Sequence, residues 1–161
     1  MSKKREVNKE TKTYKNKIIR RLKNKLLKLW SLKVKERAGF KCEFDGCSTG
    51  NLLNSHHVES YLLNSELRYD LKNGVCLCQS HHKLIFQSFH KSFIFGYNLM
   101  TKKHPEDLQY LLNFKPTGEE LTVEILERKI KEMEAIGFTN HQKDDVVLNQ
   151  KEPSVLPLEQ K

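Results

Sequence analysis

All four cysteines of the chain lie between positions 42 and 78, and five of its seven histidines lie between 56 and 90. In a protein that keeps its thiols reduced, such crowding points to metal ligation, and thiolate with imidazole suits tetrahedral zinc. Cys42 and Cys47 form a Cys-x4-Cys pair, and Cys78 and His81 form a Cys-x2-His pair further along the chain. Together they make a Cys3His set. Cys76 would share a strand face with Cys78, so it is either an alternative ligand or a small buried hydrophobe.

Two adjacent pairs remain, His56-His57 and His81-His82. At the end of a strand neighbouring side chains point to opposite faces, so one of His56 and His57 can hold a metal while the other faces a substrate. His82, at the start of a helix, is turned about 100° from His81 toward a second site. Imidazole ligands favour transition ions such as Mn²⁺, Ni²⁺ or Zn²⁺, with Mg²⁺ the abundant physiological candidate. An imidazole titrating around 6.5 can take a proton from water, and a divalent ion can polarise a phosphate. Phosphodiester hydrolysis needs both.

From about Trp30 to Asn98 the sequence resembles the HNH (His-Asn-His) endonuclease family, the ββα-metal nucleases, especially its small zinc-containing bacteriophage members. The residues that carry the likeness are W-S-L-K-V-K-E-R-A-G-F-K-C, C-S-T-G-N-L-L-N-S-H-H-V, E-L-R-Y-D-L-K-N-G-V-C-L-C-Q-S-H-H and F-H-K-S-F-I-F-G-Y-N, in that order. The resemblance implies that His57 is the general base, that His56 and His82 ligate a catalytic divalent ion, and that Asn73 braces the loop orienting the base. It also matches Cys42, Cys47, Cys78 and His81 to a structural zinc site, with His81 where a fourth cysteine is commoner. Many members carry a further ligand histidine four residues after the position of His82, and here that residue is Phe86. His90, eight residues after His82, would serve only if the helix carrying both bends, because eight residues lie about 80° off the starting face.

The implied function is metal-dependent cleavage of double-stranded DNA, as nicks or double-strand breaks, by a monomer or weak dimer. The alternative is a zinc-stabilised DNA-binding protein of the same fold that does not cut. The implied setting is the cytoplasm of a bacterium or a phage-infected host cell.

The elements that must position these residues follow from periodicity. Ile18, Ile19, Leu22, Leu26, Leu29 and Trp30 recur at helical steps between about Tyr14 and Arg37, with basic residues on the other faces. Arg20, Arg21, Lys25 and Lys28 of this helix, together with Arg68, are the candidate DNA contacts; an ion pair of Arg68 with Asp70 or Glu66 is the competing reading. Gly39 ends the helix. Residues 40–58 read as short strands and turns, 59–74 as a long connection, Gly74–Cys78 as a brief strand, and about Ser80 to Phe95 as a helix. Pro105 suits a first helical position ahead of Leu108, Leu111 and Leu112. Thr117-Gly-Glu-Glu120 is a capping-box pattern opening a helix through Val123, Leu126, Ile130 and Met133, with Gly137 as its stop.

The expected fold is therefore α+β: a ββα-metal core with a structural zinc, a basic amphipathic N-terminal helix and C-terminal helices. Residues 1–13 read as a disordered basic leader, 14–100 as the nuclease domain, 101–138 as a helical extension and 139–161 as a flexible tail. The net charge of +9 divides unevenly. Residues 1–35 hold 14 Lys/Arg and two Glu (14 − 2 = +12), and the remainder holds 15 Lys/Arg and 18 Asp/Glu (15 − 18 = −3). A basic arm on a nearly neutral body fits a polyanionic partner, nucleic acid first. No apolar run approaches the roughly 18 residues of a membrane span, and the lysine-rich N-terminus lacks a signal-peptide core, so a membrane or secreted protein is not expected.

Overall fold

The structure, a computed structural model, describes residues 12–60, 62, 64–86 and 88–137. Most of the leader and the expected tail thus lie outside the described residues, although Lys12 and Thr13 are already helical. The described residues are mixed helix with one small antiparallel sheet, an α+β arrangement. Helix α1 spans Lys12–Arg37. At 1.5 Å per residue it is about 39 Å long. It buries Leu26 and Trp30 of the expected stripe and, beyond it, Val34, while Ile19, Leu22 and Leu29 pack half-buried against the same core. It stops where Gly39 takes a φ of 60°, a left-handed conformation that lacks the usual side-chain penalty in glycine.

Strand β1, Leu53–His57, pairs antiparallel with β2, Gly74–Cys78, in a register that sets Leu53 opposite Cys78 and His57 opposite Gly74. Of the strands expected over 40–58, β1 alone forms; the preceding residues, rich in Gly, Asp, Ser and Asn, make turns. Two 3-10 turns, Ser65–Tyr69 and Leu71–Asn73, carry the connection back to β2. β2 is buried along its whole length and divides two apolar clusters. On one side Cys76 packs with Trp30, Val34 and Tyr69 and with Leu126, Ile130 and Met133 of the helix Val123–Ala135. On the other, Val75 and Leu77 pack with Cys42, Leu99 and Met100. Gly74 is required here, because a Cβ would overlap side-chain atoms of Val34 and Trp30.

The helix expected from Ser80 to Phe95 does not form as one piece. A single π-helical turn, Ser80–Leu84, follows β2, and a separate helix α2 spans Phe93–Lys103. Helix α3, Pro105–Leu112, begins on Pro105. Helix α4, Val123–Ala135, starts five residues later than the Thr117 capping pattern implies. Thr122 is its cap, its hydroxyl accepting from Ile125 N–H at 3.4 Å. The Thr117 hydroxyl and Gly118 N–H instead donate to the Glu66 carboxylate, at 3.0 and 2.7 Å. Thr117 Oγ accepts from Glu119 N–H at 3.3 Å, a local turn in place of the capping-box bond to Glu120 N–H.

A polar lattice fixes the loop that begins at Cys42. Glu43 accepts from Cys76 N–H at 2.5 Å and meets His104 Nε2 at 2.5 Å. Arg37 donates to Leu71 O at 2.9 Å and to Gly74 O, and pairs with Asp107 at 3.3 Å. The end of α1, the start of β2 and α3 are thereby tied together.

Candidate metal centres

Cys42, Cys47, Cys78 and His81 converge, their ligand atoms all within 4.8 Å of one another. Backbone bonds from Cys42 N–H to Thr49 O and from Cys47 N–H to Phe44 O, at 3.0 and 2.9 Å, fold the first pair into a turn. Cys78 closes β2, and the π-helical turn swings His81 back over it. His81 Nδ1 lies 3.6 Å from Cys42 Sγ and 3.2 Å from Cys78 Sγ. A tetrahedral zinc with ordinary Zn–S and Zn–N bonds places sulfur and nitrogen about 3.6 Å apart. The spacing and the donor set both fit a zinc site.

Burial pushes the Cys42 thiol up to about 12. Burial raises Cys78 too, but the His81 backbone N–H and hydrogen bonds from Cys42 and Cys47 outweigh it, leaving Cys78 lowered. Burial lowers His81, keeping its imidazole in the neutral form that ligates. Phe44 stacks on the His81 ring at 4.0 Å and on Phe95 at 4.7 Å, enclosing the cluster. Cys76 is outside it: fully buried, on the α1 side of β2, with burial raising its thiol to about 12. Strand alternation alone would put Cys76 and Cys78 on one face, but Cys78 is the last strand residue and packs with the opposite cluster.

His56, His82 and His90 form a second group, again with ligand atoms within 4.8 Å. His82 Nε2 lies 3.1 Å from His56 Nδ1 and 3.2 Å from His90 Nε2. His90 gets there without a bent helix. The chain leaves the π-helical turn and doubles back, with Phe89 N–H donating to His81 O at 3.0 Å and His90 N–H to His82 O at 3.4 Å. The eight-residue offset therefore costs nothing in facing angle. Phe86 stands away from the group, 82% exposed. Burial first, then the neighbouring histidines, lower His56 to about 3 and His82 to about 4. Both rings are neutral at physiological pH, and converging neutral ring nitrogens are a donor set for a divalent transition ion. Phe89 packs against His56 with centroids 4.5 Å apart.

His57 faces the other way, as strand alternation requires. Its ring lies parallel to Trp30 with centroids 4.0 Å apart and 4° between planes. His57 Nε2 is 2.8 Å from the Arg68 carbonyl oxygen. A carbonyl only accepts, so Nε2 carries the hydrogen and Nδ1 the lone pair. Burial lowers the His57 pKa. Trp30 is itself pinned, its indole N–H donating to Asp70 O at 2.9 Å.

Asn73 is fully buried and touches both ends of the loop that holds His57. Its Oδ1 accepts from Glu59 N–H at 2.6 Å, and its Nδ2 donates to Glu59 O and Leu67 O, both at 3.0 Å. Glu59 follows His57 by two residues, and Leu67 precedes the Arg68 whose carbonyl holds the imidazole. Asn73 thus ties Glu59 to the turn that carries Arg68.

Arg20, Arg21, Lys25 and Lys28 are all exposed on α1. Lys25 pairs with Glu134 of α4 at 2.8 Å. Arg68 is half-buried. Of the two carboxylates expected beside it, Asp70 accepts from Tyr110 and Lys72, and Glu66 from Thr117 and Gly118. What sequence reasoning missed are the supports: Trp30 beneath His57, the Arg68 carbonyl, Phe44 and Phe89. Trp30 had a signal, as the chain's one tryptophan in a helix ahead of the histidines. No helix among the described residues is long and apolar enough to cross a membrane. No family model, curated protein or solved structure matches the chain.

Proposed function

We propose that the protein is a metal-dependent DNA endonuclease of the HNH type, hydrolysing phosphodiester bonds with a histidine general base. The observation that carries this reading is the division of labour at the end of β1. His56 turns to one side and joins His82 and His90; His57 turns to the other and is held by a ring stack and a backbone carbonyl. A metal ligand beside an oriented, neutral base is what hydrolysis of a phosphodiester requires. The order of elements also supports it: two paired strands, then a turn bearing His81 and His82.

In this reading the phosphodiester lies along the end of β1. His57 Nδ1 takes a proton from the attacking water as its oxygen bonds to phosphorus, and the P–O3′ bond breaks with its electrons leaving on the 3′ oxygen. The Arg68 carbonyl keeps the ring in the tautomer that presents Nδ1, and Trp30 holds its plane. Asn73 holds the loop that supplies that carbonyl. His56, His82 and His90 would hold the divalent ion, Mn²⁺, Mg²⁺ or another transition ion, which when bound neutralises charge on the phosphate and the departing oxygen. Cys42, Cys47, Cys78 and His81 would hold zinc and keep the π-helical turn in place. Exposed Arg20, Arg21 and Lys28 contribute affinity for duplex phosphates through counterion release.

The test is nicking of supercoiled plasmid by the full, zinc-loaded chain with Mn²⁺ or Mg²⁺. His57→Ala should lower the rate by about 10²–10⁴, the ordinary contribution of a positioned acid–base group. Wild-type protein that cuts no faster than His57→Ala with any divalent ion would sink the nuclease reading. DNA binding without cutting would then leave a zinc-stabilised binding module.

A further inference from the structure

A groove of about 360 Å³ opens directly beside the three-imidazole group, with His56 and His90 in its wall. Phe89, packed on His56, lines the groove with them. Gly96 of α2 makes that packing possible, since a Cβ there would run into the Phe89 ring. Gly96 lies in the first turn of α2, where a side chain would displace the Phe89 ring that packs on His56. Phe93 and Tyr97, one helical turn apart on α2, stand at the mouth, 85% and 44% exposed. Their rings are inclined by only 29°, with centroids 6.3 Å apart. Lys91, also lining the groove, donates to Leu84 O at 2.8 Å, and an ammonium has two further N–H groups to offer. Glu59, on the same lining, provides an acceptor.

Exposed π-faces, a cation at the lip and an acceptor within suit an occupant with a flat ring, an attached phosphate and exocyclic N–H groups. That is a nucleotide. A protein segment would use the apolar area but would have no use for the continuity with three converging imidazoles. A base stacked and paired in a duplex cannot enter such a groove; it must first be unstacked.

Building on the nuclease reading, we propose that this groove receives one unpaired nucleobase from the nucleotide beside the scissile phosphate. The substrate class of the site is then single-stranded or locally unpaired DNA. Phe93 and Tyr97 provide the stacking face, Lys91 meets the adjoining phosphate, and Glu59 accepts from the base edge.

The test uses the full zinc-loaded chain and oligonucleotides of one sequence carrying a fluorescent 2-aminopurine. They are presented single-stranded, in a bulge and fully paired. Binding to the His57→Ala variant should quench the analogue in the first two and not in the third. Phe93→Ala with Tyr97→Ala should remove the quench and weaken single-strand affinity by about tenfold or more, in the range that base–aromatic stacking supplies. Both residues are exposed, and unchanged zinc content and melting temperature would establish that the double variant folds. Wild type with Mn²⁺ should cut the unpaired forms at least about tenfold faster than the paired one. Quenching without any wild-type cleavage would keep the groove and sink the nuclease. Cleavage at equal rates on paired and unpaired DNA, with no quench, would keep the nuclease and overturn the groove, leaving its apolar mouth to a protein partner.

Discussion

His81 and His82 are neighbours in one π-helical turn, yet they belong to two ligand groups built on opposite plans. The Cys3His group has four donors, two of its cysteines are buried, and Phe44 stacks on its histidine. The three-histidine group has three donors, His90 is exposed, and an open groove runs beside it. A complete tetrahedral set leaves no position for substrate, whereas three ligands leave room for more. A closed four-donor set fits a structural role, and an open three-donor set beside a groove is the one to which the proposed nuclease reading gives the chemistry. The second group also depends on the first, because the turn that carries His82 is anchored by Cys78 and His81.

This dependence gives the largest expected effects. Cys78→Ser should lose the tightly held zinc, about one ion per chain in the intact protein, and cost several kcal/mol of stability, since binding energy at a structural site is folding energy. Nicking should vanish with it. His82→Ala should keep that zinc and its melting temperature within about 1 kcal/mol while nicking falls at least about 100-fold. Metal analysis, thermal melts and plasmid nicking on the same preparations read all of this. Zinc retained by Cys78→Ser, or zinc lost from His82→Ala, would break the division between the two groups.

A middle-sized effect is expected at Asn73, which serves neither group as a ligand. Asn73→Ala leaves Glu59 N–H, Glu59 O and Leu67 O without their partner, a loss of about 2–4 kcal/mol. Through the Arg68 carbonyl it should also lower kcat and alter the pH profile of nicking while KM stays near its original value. Asn73→Asp keeps an acceptor for Glu59 N–H and should recover part of the stability. An unchanged kcat and pH profile in a destabilised Asn73→Ala would reduce Asn73 to a strut with no bearing on His57.

The two groups also differ in how far they were legible beforehand. Cys42, Cys47, Cys78 and His81 were readable as a set because zinc chemistry constrains both residue type and local spacing. His56 and His82 were paired as ligands by the family resemblance, strand geometry alone leaving open which of His56 and His57 takes a metal. His90 was readable only as a ligand conditional on a bent helix; what returns it instead is a pair of backbone hydrogen bonds onto the π-helical turn, and backbone groups carry no residue identity. The Arg68 carbonyl that orients His57 was invisible for the same reason. α1, β2 and the start of α3 followed from periodicity and proline chemistry. The start of α4 did not, since the Thr117–Glu120 segment folds as a turn held by Glu66, far away in sequence, and Thr122 caps the helix instead. Trp30 was readable as core, and its helical stripe gave no hint that one ring face would be spent on a histidine.

The smallest expected effect lies outside both groups, on α1, where Lys25 is tied to Glu134 and Arg20, Arg21 and Lys28 are in no ion pair among the described residues. If the helix binds phosphates and the histidines supply chemistry, neutralising it changes binding alone. Arg20→Gln, Arg21→Gln and Lys28→Gln together should lower the slope of log affinity against log salt by up to about 0.9 for each phosphate no longer neutralised. Nicking at saturating DNA should stay within about twofold, because no charge near His57 is touched. Lys25→Gln alone should do less to the slope than any of the three, its charge being partly met by Glu134 across an exposed pair worth about 1 kcal/mol or less. Fluorescence anisotropy over a range of salt concentrations reads both. An unchanged slope in the triple variant would move the nucleic-acid interface off α1, and a fall in saturated nicking would mean that the helix bears on the base it carries through Trp30.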